Sequence, residues 1–455
     1  MQFGFAKNDI TPRLGVELCG FGPFINRHGL AVRDRLWARA MAVRQGDVTL
    51  VVISNDLVGV TPEITTRVRQ FVREEVGLPD AAIMVHCTHT HSGPATIRVT
   101  GWGAVDMPYC ETLPRRIARA AVDAVKNLRE ATIRYAVAPC EGISLNREYD
   151  RDAPPLEEVL RDDWRPAKPE LTDTTTHVFT VEADGVLIGF LSYFGCHPVT
   201  CCQETHSIHG DFCGVATNLL EREHPGAVGL FLQGALGDQN TCVVHKPETE
   251  SMLALDVIAG RYAGRVREGM RRAQALAVDG LACHSASFTP GRIMLTIEQI
   301  QAYIAEYEAV LHAPGVTDAD PDVRMAAVTL LAMRRILRQV QSGEATEQTT
   351  ELQAFRIGPL ALLATPFEIF RRIKEDIVSR AQSPIPLVLG ITNDEFGYAP
   401  DHDTAARGGY AAQQVPLMLG SLPFRNIHDE LMEEMLELEQ AVLANDTAVS
   451  SSPCV

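Results

Sequence analysis

The feature that most narrows the fold is an alternation of short, Val/Ile-rich apolar runs with longer segments of helical spacing. TLVVIS (49–54), AAIMVH (81–86) and TIRYAVA (132–138) have the length and β-branched content of strands. Between them, residues 60–76 and 111–128 repeat apolar positions at helical intervals, and the first opens on Thr61, Pro62 and Glu63, a helix-start signal. The order β, α, β, α, β predicts an α/β fold. Further on, HVFTVEAD and GVLIGFLSYF joined by an ADG turn predict a hairpin, and GAVGLFLQGALGD predicts a strand ending in a glycine-rich loop. A long amphipathic helix is expected over 250–275, strands at LQAFRIG, LALLATP and PLVLGIT, and a last helix over 427–444.

Two segments break this rhythm. The charged, proline-bearing stretch Asp150 to Lys168 reads as a surface loop, and 296–313 with 320–342 read as a helical hairpin inserted at about 295–343, over the site or at a contact between copies. No internal repeat stands out. The expectation is one domain over 1–445, a mixed β-sheet core flanked by helices with a metal site at strand ends, then a polar, frayed tail over 446–455.

Charge and hydropathy exclude some classes of function. The chain of 455 residues carries 58 acidic against 41 basic residues, net −17, with no Lys/Arg cluster interleaved with aromatics, so nucleic acid is not an expected partner. The opening MQFGFAKNDITP lacks a basic region followed by a long apolar core, and no run of 18 apolar residues exists. The expectation is a cytoplasmic protein without stable membrane insertion, acting on a small molecule, with a homo-oligomer left open. Eleven irregularly spaced cysteines without a CxxC pair suggest neither a disulfide framework nor a structural zinc knot, and the adjacent Cys201 and Cys202 read as reduced, buried thiols.

The chemistry gathers at strand ends. VHCTHTHSGP puts His86 at the end of a strand and His89 and His91 just beyond it, where open α/β sheets place ligands. In extended chain, residues two apart project to one side, so both imidazoles can face one ion or one substrate. A catalytic zinc needs three protein ligands plus water. Further ligands must therefore come from elsewhere. YFGCHPVT offers His197 after another strand, and THSIHGDFCG offers His206, His209 and Asp211 ahead of a helix, with Asp211 equally able to cap that helix. In FLQGALGDQNT the glycines allow close backbone approach, Asp238 and Asn240 are polar contacts, and no phosphate-loop Lys follows. ATPFEIFRR places Glu368 at an expected helix start, and ITNDEFGYAPDHD places Asp394, Glu395 and Tyr398 at another strand end.

Taken in order, GFAKNDITPRLG, VRDRLWARA, VVISNDL, THTHSGP, LNRE, CHPVT, HGDFCG, LQGALGDQN, TPFE and NDEFGY resemble the neutral/alkaline, non-lysosomal ceramidase family, which are zinc-dependent amidases. The resemblance covers nearly the whole chain outside the helical insertion. It implies a Zn2+ held by His89, His197 and Glu368, with a fourth ligand from a tyrosine stretch that here reads NDEFGY. Glu395 stands at the first tyrosine position of that stretch and Tyr398 at the second, so the fourth ligand is open between them. It further implies His91 beside the scissile carbonyl and Arg147 near the substrate. Two departures are visible: Gln239 and Asn240 stand where the family carries a serine, and the sequence ends before the family's C-terminal immunoglobulin-like domain. Ceramide itself is therefore not the expected substrate.

The expectation is a zinc hydrolase that cleaves an amide by metal-activated water, with His91 moving protons and Arg147 and Tyr398 at the substrate. An ester, lactone or cyclic amide would suit the same site. A metal-binding or assembly protein without catalysis is the alternative of another class.

Overall fold

The computed structural model describes residues 1–97, 99–149, 154–444 and the backbone of 449–451. Its first third contains β1 (Gln2–Asp9), β2 (Trp37–Gln45), β3 (Val48–Asn55), α1 (Pro62–Val76), β4 (Ile83–Cys87) and α2 (Met107–Lys126). The strands lie in the order β4-β3-β2-β1, antiparallel except for the parallel pair β3/β4 that α1 connects. The second third repeats the arrangement with β5 (Thr132–Pro139), β6 (Thr175–Ala183), β7 (Val186–Phe194), α3 (Asp211–Glu223), β8 (Val228–Gln233) and α4 (Glu248–Arg272). Its order is β8-β7-β6-β5, with β7/β8 parallel.

The last third repeats it again: β9 (Leu281–Phe288), the helical hairpin α5 (Ile297–Leu311) and α6 (Pro321–Ser342), then β10 (Thr350–Ile357), β11 (Leu360–Ala364), α7 (Arg371–Arg380), β12 (Ile385–Leu389) and α8 (Ile427–Ala444). The order is β12-β11-β10-β9, with β11/β12 parallel. The chain is thus built from three units of one topology, where the sequence showed no repeat. Strand order depends on apolar pattern and connection length rather than on residue identity, so three units can share it without resembling one another in sequence.

Side-chain alternation places the units. Val52, Met84 and Phe3 of the first sheet, Leu191, Leu232 and Phe179 of the second, and Leu362, Leu387 and Phe355 of the third meet in one shared core. Their neighbours along the strands point outward, as Val51 and Ile53 do beneath α1 and α2. Each sheet therefore packs its inner face on the other two and its outer face on its own helices. The ends of the parallel pairs open into loops on the same side, where the histidine motifs lie.

Local signals act as read. Thr61 accepts the Ile64 amide and Gly77 closes α1 in the left-handed region. Asp184 (φ 52°) and Gly185 (φ 74°) make the tight turn of the β6/β7 hairpin. Three expectations are corrected, and three strands were not foreseen. The 150–168 stretch is not only a surface loop, because Val159 and Trp164 are buried in the core under α4; residues 150–153 lie outside the described residues. Glu368 does not start a helix: it sits in a short strand, Glu368–Ile369, paired with Tyr398–Ala399, and α7 begins at Arg371. Part of the tail, Val449–Ser451, pairs with β9; the rest lies outside the described residues. The strands β1, β2 and β9 carry no clear sequence signal. In β2 both faces are covered and Ala38, Ala40 and Ala42 pack beneath α2, so alternation vanishes.

Candidate active site

The loop after β4 brings His89 and His91 together by a kink rather than by strand alternation. His89 has a left-handed backbone (φ 69°), its amide bonds to Leu57 O, and its ring lies 5.0 Å from that of His91. Gly20 (φ 125°) packs against His91 so closely that a Cβ there would meet the ring at 2.4 Å. His197 enters after β7, fixed by its amide on Gln239 O, and its ring centroid is 4.7 Å from that of His89 and 4.9 Å from that of His91. Glu368 follows β11, and Gly237, whose Cβ would strike Glu368 O at 2.4 Å, lets the two backbones meet. The glycines of the GALGD loop thus serve close approach, as the sequence suggested.

These elements aim donor atoms at one point. His89 Nδ1 donates to Val58 O (2.5 Å) and His197 Nδ1 to Leu236 O (3.2 Å), which leaves both Nε2 lone pairs facing inward. Glu368 Oε2 lies 3.7 Å from His89 Nε2 and 3.6 Å from His197 Nε2, and it is buried without a hydrogen-bond partner. A buried carboxylate oxygen left bare between two imidazole lone pairs fits a cation, and the backbone carbonyls behind the rings fix the tautomer a ligating histidine needs. The three imidazoles together also form a group that could hold a metal ion. His91 differs in one respect. Its Nε2 lies 3.2 Å from His197 Nε2, while its Nδ1 is buried with no partner behind it.

Burial, reinforced by neighbouring imidazoles, holds His91 and His197 well below the ordinary histidine value, and burial also lowers His89 against the pull of Glu368. All three are therefore neutral near pH 7, the state in which imidazole accepts a cation or a proton. Glu395 is pushed up to about 8, first by burial and then by Glu368 and Asp394. Arg147, beyond the short strand Ser144–Asn146, stacks its guanidinium 4.8 Å from the Tyr398 ring centroid. Burial opposes its charge, but Tyr398 and Glu368 outweigh that and keep it protonated.

The remaining residues sort by contact. Asp238 accepts from the Arg371 amide and from Asn146 Nδ2, both at 2.9 Å, and its carbonyl takes the Arg147 amide; it organises the loops that carry Arg147 and Glu368. Asn240 sits in register with His197. Asp211 belongs elsewhere: it groups with Cys201 and His209 beneath α3, accepting from the Thr200 and Phe212 amides, and Gly210 rather than Asp211 is the cap. His206 bonds to His28 O. His86 is a joint between units, with Nε2 accepting from the Gln233 amide (2.8 Å) and Nδ1 donating to Thr392 Oγ1 (2.9 Å).

The pocket over the imidazoles is about 70 Å³ and opens to solvent, and much of its wall is apolar: Cys19, Val58, Ile97, Trp102, Val415 and Met418. Nothing in the sequence marked these residues, because apolar side chains scattered over loops have no period. Among the described residues, no helix is long and apolar enough to cross a membrane.

Known proteins share this fold. The chain superposes over its full length on the crystal structure of neutral ceramidase from Pseudomonas aeruginosa, with a TM-score of 0.75, 18% identity and 76% of that chain covered. A structure described as ceramidase complexed with C2 matches equally, with a TM-score of 0.76, 18% identity and 77% of that chain covered. At that identity the superpositions establish the fold. Residues 1–245, more than half of the 455, match the profile of the neutral/alkaline non-lysosomal ceramidase N-terminal region. The protein whose imidazoles and bare carboxylate meet at the ends of these three sheets belongs to the neutral/alkaline non-lysosomal ceramidase family.

Proposed function

We propose that this chain is a zinc-dependent amidohydrolase that cleaves the amide of an N-acylated small molecule. The observation that carries the reading is the convergence of His89 Nε2, His197 Nε2 and the unpartnered Glu368 Oε2 at the floor of a pocket. These three residues would hold the ion, and a set of two nitrogen donors and one oxygen donor suits zinc. When bound, zinc supplies Lewis-acid polarisation of a carbonyl and a lowered pKa for water. The amide preference rests on the family, whose name describes hydrolysis of ceramide's amide bond.

The chain's own groups then divide the work. His91 is the proton carrier rather than a ligand, because the two ligand imidazoles each have a carbonyl behind Nδ1 and His91 has none. Neutral at working pH, it takes a proton from the attacking water and delivers it to the departing nitrogen, which could not leave as an anion. Arg147, held charged against Tyr398, hydrogen-bonds the carbonyl oxygen as negative charge develops. The products are a carboxylic acid and an amine. No serine nucleophile is needed, in keeping with Gln239 and Asn240 in the loop beside His197.

The test is hydrolysis of matched amide and ester substrates by zinc-loaded protein, by chelated protein and by the His91→Ala variant. Amide turnover abolished by chelation and reduced about 10²–10⁴-fold by His91→Ala is the expected result. Hydrolysis of esters alone, or turnover indifferent to chelator, overturns it.

A further inference from the structure

A second hollow lies next to the pocket above the imidazoles. Val99, Met418 and Leu419 line both the active-site pocket and this second hollow, of about 270 Å³, so the two adjoin at these side chains. The far side of the second hollow is a face of α6: Val328, Leu331, Ala332, Arg335 and Arg338. These positions recur at helical intervals and therefore share one side of the helix, spanning about 15 Å at 1.5 Å per residue.

Polarity changes along that face. Val328 is buried against Phe370, Tyr398 and Val415 beside the catalytic groups. Leu331, in the middle, is 52% exposed, although it is a large apolar side chain lining a hollow. Arg335 and Arg338 stand at the outer end. Arg335 is pinned by bonds from its guanidinium to Leu419 O (3.1 Å) and Gly420 O (2.9 Å). Among the described residues neither arginine has a carboxylate partner, whereas Arg334 beside them is paired with Glu308 at 2.7 Å. In a chain of net charge −17, two uncompensated guanidiniums at the mouth of an apolar groove are a local reversal of sign.

We propose that the groove receives an amide substrate whose apolar chain, about 15 Å long, ends in an anion (carboxylate, sulfate or phosphate) bound by Arg335 and Arg338. The α5–α6 hairpin is then the specificity element of this enzyme. The inference rests on the hydrolase reading above, but it is a separate statement about what lies at the far end of the substrate. Guanidinium forks suit planar and tetrahedral oxyanions, and the exposed leucine is covered when the chain is in place.

The probes are two aminocoumarin amides, lauroyl and its ω-carboxy counterpart, assayed with zinc-loaded wild type, Arg338→Glu and Leu331→Glu. Wild type is expected to favour the ω-carboxy amide by about tenfold in kcat/KM, through KM and with loss of the preference at high salt. Arg338→Glu should invert the preference, and Leu331→Glu should weaken use of both amides, with thermal melts confirming that both surface variants fold. Equal use of the two amides by wild type, or a preference undiminished in Arg338→Glu, overturns the proposal. If neither amide is cleaved, the hydrolase reading fails by itself, and calorimetric binding of dodecanedioate against laurate decides the groove: tighter dodecanedioate, inverted in Arg338→Glu, supports it, and no binding of either sinks it.

Discussion

Glu368, Glu395 and Tyr398 line one pocket with the His89 and His91 imidazoles, and the Tyr398 ring lies under the Arg147 guanidinium. A hydroxyl committed to an arginine is a poor metal ligand, while a buried carboxylate raised to about 8 has the most to gain from a cation. Glu395→Gln is therefore expected to weaken zinc binding at least about tenfold, and Tyr398→Phe to leave it within about threefold, as read by competition against a chromophoric chelator. The reverse ranking would make Tyr398 the fourth ligand. His86 supports a different prediction. Burial holds it at about 3, against about 6.5 in unfolded chain, so its neutral form stabilises the fold above pH 6.5 and that contribution fades as pH falls toward 3. In the metal-free protein, stability to urea should fall between pH 7 and 5 by up to about 1.4 kcal/mol per pH unit for this group. His86→Gln should show a shallower acid slope.

At the level of elements, sequence legibility followed how local the cause was. The Thr61 cap, the Asp184–Gly185 turn and the strand ends before His89 and His197 are set within a few residues and could be read directly. The β2 strand could not, because its cover comes from distant helices, and Glu368 was taken into a helix that waits until Arg371 because strand Tyr398–Ala399 claims it first. The place of Asp211 beside His209 suggests a role at the candidate metal site, but a backbone turn (φ 52°) directs it beneath α3. Contacts between units were least legible. Arg39 on β2 donates to Asp56 (2.7 Å), to Glu221 of α3 (3.1 Å) and to Asn218 (2.7 Å), all of it buried or nearly so. Arg39→Met should cost about 3–5 kcal/mol in a urea titration, since it leaves Asp56 buried without its cation and Glu221 with Lys7 alone.

For the molecule as a whole, the α/β class and the residues that gather around Glu368 were legible in the sequence, but not the threefold plan, which lies in strand order rather than in residue identity. That plan assigns the donors: His89 follows the first unit's parallel pair, while His197 and Glu368 follow the third strands of the second and third units. Zinc at about 1,000 times its Kd should therefore raise global stability by about 4 kcal/mol, seen as a higher melting temperature that a chelator reverses. A kinetic consequence follows from the same placement. With an ion held as proposed, no single loop could swing away with it, because each donor is rooted in a different sheet and all three sheets share one core. Escape then requires the units to part, so the rate at which zinc passes to excess chelator should keep pace with global unfolding as denaturant is added. Exchange much faster than unfolding would mean that one unit opens alone, and the metal would then act as a timer for breathing of the fold.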